Sequence, residues 1–197
     1  YILQKKKRNL LIRLLFYLDK ITGKKTAPNY KINIPELFLN KAKELMPNNK
    51  RYIGFSITAG HPTRVKEISI QEIIKVANYY SEEFVPTFFI EDKYSEIKTV
   101  LKKEVYNSFF PEEHLEKELK KPIMVTAMGR LTKFNVSIDN GISHMLSYSN
   151  TKNYIFFNKS AEKFRPSNNS AIYDCEKNNK NIDTLTSDEI INFISNN

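Results

Sequence analysis

The chain has 197 residues, 41% hydrophobic and 12% aromatic, which is enough to bury the core of one ordinary globular domain with some additional material. Its 31 Lys and Arg against 22 Asp and Glu leave a formal net charge of +9, so the expected partners are anionic: nucleotide, phosphorylated sugar, nucleic acid or acidic membrane. The single Cys175 excludes an internal disulfide, fits a reducing compartment and reads as a buried, inert thiol.

No run approaches the roughly 20 apolar residues of a spanning helix, and Arg13 interrupts the best candidate, Asn9 to Leu18. The basic run Lys5-Lys6-Lys7-Arg8 is followed by too short an apolar stretch, and by no small-residue cleavage site, for a secretory leader. The sequence opens on Tyr1 rather than Met, and an upstream segment is expected.

Leu10, Leu11, Leu14, Leu15 and Leu18 repeat at helical spacing behind that basic run, giving an amphipathic helix suited either to packing on the protein or to lying on an anionic membrane. A linker from Thr22 to Pro35 contains Gly23 and Pro28, a short helix covers Glu36 to Leu45, and Pro47-Asn48-Asn49 closes the section. Residues 1–49 thus read as an N-terminal helical and linker segment, and residues 50–197 as a domain.

Within that domain the apolar period switches repeatedly between strand and helix. Strands are expected at Tyr52–Ile57, Val85–Ile90, Val105–Phe109, Phe134–Ile138 and Asn153–Phe157. Helices are expected at Ser69–Glu83, with Ser69 and Glu72 forming a capping box, and at Tyr94–Lys103, Glu112–Leu119, Pro122–Leu131, Ile142–Ser149 and Ser187–Ser195. Such alternation implies an α/β, Rossmann-like parallel sheet covered by helices on both faces, with ligands held outside the carboxyl ends of the strands.

Two loops in that position carry unusual chemistry. The first, Thr58-Ala59-Gly60-His61-Pro62-Thr63-Arg64-Val65-Lys66, follows the first domain strand. It combines a permissive glycine, two threonine hydroxyls and two cations, as a diphosphate cradle requires, without matching the P-loop or the three-glycine dinucleotide fingerprint. The second is Asp139-Asn140-Gly141. Asn-Gly suits a two-residue hairpin, whereas the spacing of Ile142, Met145, Leu146 and Ser149 favours a helix capped by Asn140, with Gly141 in its first turn and His144 near an anion site. Asp139, at the end of a strand, is placed to orient sugar hydroxyls or to cap the turn. No metal-ligand cluster is evident, and no cofactor is expected.

The stretch Phe134-Asn135-Val136-Ser137-Ile138-Asp139-Asn140-Gly141-Ile142-Ser143-His144-Met145 resembles the Asp-Ser/Thr-Gly-x-x-His signature of the ADP-heptose lipopolysaccharide heptosyltransferases, glycosyltransferase family 9. The loop ending in Lys66, the strand Tyr154-Ile155-Phe156-Phe157, the segment Lys163-Phe164-Arg165-Pro166 and the closing helix from Thr186 fall in the family's order. The likeness covers nearly all of this chain and the C-terminal half of a complete enzyme. Asn140 stands where the family has Ser or Thr, Phe157-Asn158-Lys159-Ser160 where it has Phe-Gly-Pro-Thr, and Phe89-Ile90-Glu91 lacks glycines often found there.

The resemblance implies the C-terminal, donor-binding domain of a GT-B enzyme. Such an enzyme is inverting and metal-independent, and it transfers a sugar, heptose by family default, from a nucleotide diphosphate donor (an ADP-sugar) to a lipopolysaccharide or other surface-glycan acceptor. Lys66 would then neutralise the diphosphate, Thr58 or Thr63 would hydrogen-bond it, and the Gly141 backbone beside Asn140 would receive it. Asp139 would contact the sugar, His144 would line the phosphate pocket and Glu91 would reach the ribose. The general base is expected in an N-terminal domain outside this sequence, and the location is expected to be cytoplasmic, peripheral at the inner membrane face. A noncatalytic nucleotide-sugar-binding module is the alternative. A basic nucleic-acid-binding protein fits less well, since no recognised nucleic-acid motif is present.

Overall fold

The computed structural model describes residues 9–27, 31–59, 67–166 and 169–197. Strands β1 (Tyr52–Ser56), β2 (Val85–Phe88), β3 (Thr132–Ile138), β4 (Lys152–Phe157) and β5 (Ser170–Asp174) form one five-stranded parallel sheet in the order β2-β1-β3-β4-β5. In register, Gly54 lies between Thr87 and Asn135, and Val136 lies beside Tyr154, which pairs in turn with Ala171. The helices are α1 (Leu10–Thr22), α2 (Glu36–Leu45), α3 (Ile70–Tyr80), α4 (Ser95–Glu104), α5 (Pro122–Gly129), α6 (Gly141–Ser147), α7 (Ala161–Phe164) and α8 (Ser187–Ser195). The expected Rossmann-like architecture is therefore present.

Strand alternation divides the core between the two faces of the sheet. On one face Ile53, Phe55, Val136, Ile138, Tyr154 and Phe156 pack with Ile73 and Ala77 of α3, Leu101 of α4 and Ile190 of α8. On the other, Tyr52 and Phe89 meet Phe38 and Ala42 of α2, Met124 and Met128 of α5, and Leu146 of α6. The helix at Glu36–Leu45 thus belongs to the same core as the strands.

The second face is unusual in its chemistry, because Asn135, Ser137 and Asn153 replace the aliphatic residues a parallel sheet ordinarily buries there. They form a ladder beneath α6. Thr132 Oγ1 donates to Asn135 Oδ1 (3.0 Å), Ser137 Oγ to Asn153 Oδ1 (2.8 Å), and Asn153 Nδ2 to the Ser143 carbonyl (2.9 Å).

Several sequence expectations require correction. Val105–Phe109 is not a strand: Asn107 takes the left-handed conformation at φ 55°, and only Phe109 bridges to Thr87. Glu112–Leu119 forms two short 3₁₀ turns, Pro111–His114 and Lys117–Leu119, because Leu115 between them is extended so that it and Leu119 can be buried over α5. Strand β5 was not evident in the sequence, where its half-buried edge position leaves little apolar signal. The Ser69–Glu72 capping box does not form. Glu72 accepts instead from Lys75 Nζ (2.6 Å) and from the Ser187 N–H (2.6 Å), tying α3 to the start of α8, while a capping box is made by Thr186 and Glu189. Cys175 is fully buried, and burial pushes its thiol up to about 11, which keeps it uncharged and unreactive. Among the described residues, no helix is long and apolar enough to cross a membrane.

Two outcomes are expected. A Cβ at Gly54 would collide with Asn135 Oδ1 and lie 2.8 Å from Phe89 Cε2, so Gly54→Ala is expected to lower stability by about 1–3 kcal/mol in urea unfolding. The bonds from Lys75 and Ser187 hold the Glu72 carboxyl below its ordinary range. A carboxylate so held adds stability above its unfolded pKa and loses it as pH falls through its folded one. Glu72→Gln should therefore melt below the parent at neutral pH and converge with it in acid, as read from melting temperature against pH.

Candidate ligand-binding site

After β1 the chain leaves through α3 on one face of the sheet, and after β3 it leaves through α6 on the other. Because β1 and β3 are neighbours, their departing segments separate and open a crevice at the carboxyl edge, the position where open α/β sheets bind ligands. Asn140 spans that crevice. Its Oδ1 caps α6 by accepting from the Ser143 N–H (2.8 Å), and its Nδ2 donates to Ser56 Oγ (2.8 Å) and to the Thr58 carbonyl (3.1 Å). A serine or threonine hydroxyl could make the cap but is too short to reach β1 as well, so the amide both starts the helix and fixes it to the neighbouring strand.

The crevice widens into a cavity of about 430 Å³. Its floor is apolar, made by Leu115, Met124, Val125, Met128, Ile142 and Met145, and its rim carries Thr58, Glu91, Glu112, Lys120, Asn140 and Gly141. A Cβ built on Gly141 would meet nothing within 4 Å, so the backbone there faces open space. Lys120 donates to Asp92 Oδ2 (2.7 Å), and the buried Lys98 donates to Asp92 Oδ1 (3.0 Å). Those two bonds, Lys120's first, hold the Asp92 carboxyl below its usual range. Burial pushes the Glu112 carboxyl up, against the opposing pull of Lys98. Glu91 is exposed and pairs with Lys93 at 2.7 Å.

Four of the residues singled out from the sequence, Thr58, Glu91, Asn140 and Gly141, therefore meet at one cavity. Asp139 is half-buried at the end of β3 and does not line it. His144 lies on a different face of α6 from Ile142 and Met145 and, with Tyr148, lines a second cavity of about 270 Å³ between α1 and α7. Thr63 and Lys66 lie outside the described residues. The ends of their loop are held together, since the Ala59 N–H donates to Glu67 Oε1 (2.7 Å) and Tyr94 Oη donates to the Ala59 carbonyl (2.5 Å). Sequence reasoning did not find Glu112, Lys120 or the methionine floor. The one available signal was a Lys120-Lys121 pair just ahead of Pro122, where a proline opens a helix.

The sequence matches no protein-family model and no curated protein. Solved structures do resemble it. A family 9 glycosyltransferase from Veillonella parvula DSM 2008 superposes with a TM-score of 0.80 at 14% identity, over 98% of this chain and 60% of that one. The chain shares the fold of the family 9 glycosyltransferases. The E. coli heptosyltransferase WaaC, solved with ADP, follows with a TM-score of 0.69 at 16% identity, over 93% of this chain and 54% of its own. E. coli ADP-heptose lps heptosyltransferase II gives 0.62 at 12% identity, over 87% and 54%. The chain thus spans little more than half the length of these glycosyltransferases.

The bracket made by Asn140 has a measurable consequence. Asn140→Ala loses both the cap and the tie to β1 and is expected to cost about 1–3 kcal/mol in denaturant unfolding, whereas Asn140→Thr should recover only the capping part.

Proposed function

We propose that this chain is the donor-binding half of a glycosyltransferase that transfers a sugar from a nucleotide diphosphate to a lipopolysaccharide or other surface-glycan acceptor. The observation that carries the reading is the apolar-floored cavity at the crossing of β1 and β3, set in a fold shared with glycosyltransferases, one of which was solved with ADP. A planar base suits the methionine-rich floor, because a polarisable thioether adapts to a ring face. Glu91 on the rim suits ribose hydroxyls, and the open backbone at Gly141, with Thr58 beside it, suits the diphosphate.

Lys66 and Thr63 complete the anion site in this reading, and Asp139 contacts the transferred sugar. His144, expected to line the phosphate pocket, lines the second cavity instead and takes no part in holding the donor in this reading. In chemical terms these groups favour departure of the leaving nucleotide, since negative charge grows on the diphosphate as the glycosidic bond breaks and fixed cations and N–H dipoles stabilise it. That supply of charge is compatible with a metal-independent, inverting transfer. An ADP-sugar is the first donor to test, with heptose the family default.

A noncatalytic nucleotide-sugar module is a second reading, favoured by Asn158. It stands where family 9 has glycine, and it spends its side chain accepting the Ile182 N–H at 3.1 Å. Calorimetry with ADP-, UDP- and GDP-sugars tests the common element of both readings. Lys66→Ala and Asp139→Ala are each expected to weaken donor binding by about tenfold or more, the worth of a charge-assisted contact. Unchanged affinity in both variants would remove the site assignment.

A further inference from the structure

The carboxylates after β2 and in the Pro111–His114 turn are paired, with one exception. Asp92 takes Lys98 (3.0 Å) and Lys120 (2.7 Å), Glu91 takes Lys93 (2.7 Å) and Glu113 takes Lys102 (2.7 Å). Glu112 is half-buried and lines the larger cavity, and it has no hydrogen bond or ion pair among the described residues. Lys98 and Lys120 act on it only through longer-range attraction, because Asp92 holds both.

The backbone on both sides of Glu112 is fixed. Before it the buried Phe110 stacks on Phe88, with ring centroids 5.3 Å apart, and after it the His114 ring stacks on Phe109 at 5.5 Å while Leu115 is buried. A carboxylate drawn out of water costs free energy unless a donor meets it, so this position serves a ligand that brings N–H groups of its own. Lys121 supplies the complementary chemistry. It lines the same cavity, immediately before α5 and its floor residues Met124 and Met128, and its ammonium has no hydrogen bond or ion pair among the described residues. One acceptor and one donor thus stand over an apolar, thioether-rich floor that suits a flat ring.

We infer that Glu112 and Lys121 select guanine as the base of the bound nucleotide, the Glu112 carboxylate accepting from the base N1–H and N2–H groups while Lys121 donates to O6 and N7. An ionised carboxylate only accepts, and an ammonium only donates. Guanine alone among the four bases sets two N–H donors side by side, so that both carboxylate oxygens are met in parallel, as in a bidentate pair. Adenine flanks its amino group with ring-nitrogen lone pairs, cytosine sets a lone pair beside its own, and uracil encloses its single N–H between carbonyls. A carboxylate facing any of these meets an acceptor next to the donor. O6 and N7 of guanine are likewise the paired acceptors that a cationic side chain reads. The inference rests on the donor-site reading above and replaces the adenine of the family default with guanine.

The test is calorimetry of the full 197-residue chain with GDP, ADP, CDP and UDP, and with inosine diphosphate, which is GDP without its 2-amino group. GDP is expected to bind about tenfold or more tighter than ADP, CDP or UDP, and about tenfold tighter than inosine diphosphate. The inosine comparison needs no altered protein. Glu112→Gln is expected to remove most of the preference for GDP over inosine diphosphate and over ADP, and Lys121→Ala, at an exposed position, to weaken GDP several-fold with melting temperature unchanged. ADP bound as tightly as GDP, inosine diphosphate bound as tightly as GDP, or a preference that survives Glu112→Gln would each overturn the inference and leave the donor reading standing. Failure of every nucleotide to bind would overturn both.

Discussion

One side-chain amide sets the geometry on which the candidate site depends. Asn140 holds the start of α6 and the carboxyl end of β1 at hydrogen-bond distance, so the two walls of the crevice cannot drift apart without leaving a half-buried amide unpaired. An unmade buried hydrogen bond costs about 1–3 kcal/mol, comparable to the worth of a core side chain. The polar ladder of Ser137, Asn153 and Ser143 extends the same constraint beneath the helix. Aliphatic packing alone would let α6 slide over the sheet with little penalty, whereas directional bonds allow one placement.

That placement governs what the cavity can hold. Since α6 is fixed at its first turn, Ile142 and Met145 close the apolar floor against Met124 and Met128, and Gly141 leaves its backbone open at the rim. The charges around the rim are themselves positioned. Lys120 is held to Asp92, which the buried Lys98 holds in turn, so the cation at the mouth is anchored through a chain of ion pairs. A site floored by thioethers and branched aliphatics and rimmed by carboxylates and one anchored cation is suited to a ligand with an apolar ring at one end and polar groups at the other.

The placement of α6 also separates two surfaces that a linear reading merges. Its Ile142 and Met145 face contributes to the nucleotide-sized cavity, while His144 and Tyr148 turn toward α1 and α7. Across that second cavity Leu10, Leu11 and Leu14 of α1 face the same short helix. Two cavities are thereby carried on different faces of one short helix.

By itself the sequence determined the alternation of strand and helix, the helix after Asp139-Asn140-Gly141 and the burial of Cys175, because each depends on local period, capping chemistry or hydrophobicity. Local pattern misled where long-range partners competed more strongly. Glu72 left its expected cap for the Ser187 N–H on α8, and the segment from Val105 to Leu119 surrendered regular structure so that Leu115 and Leu119 could cover α5. The edge strand β5, with little apolar contrast, exists through its pairing with β4. Only the tertiary structure decided which residues share a cavity. Thr58, Glu91, Lys120 and Gly141 are far apart along the chain and meet because the sheet order crosses between β1 and β3, while His144, three residues from Gly141, is turned away by the pitch of a helix.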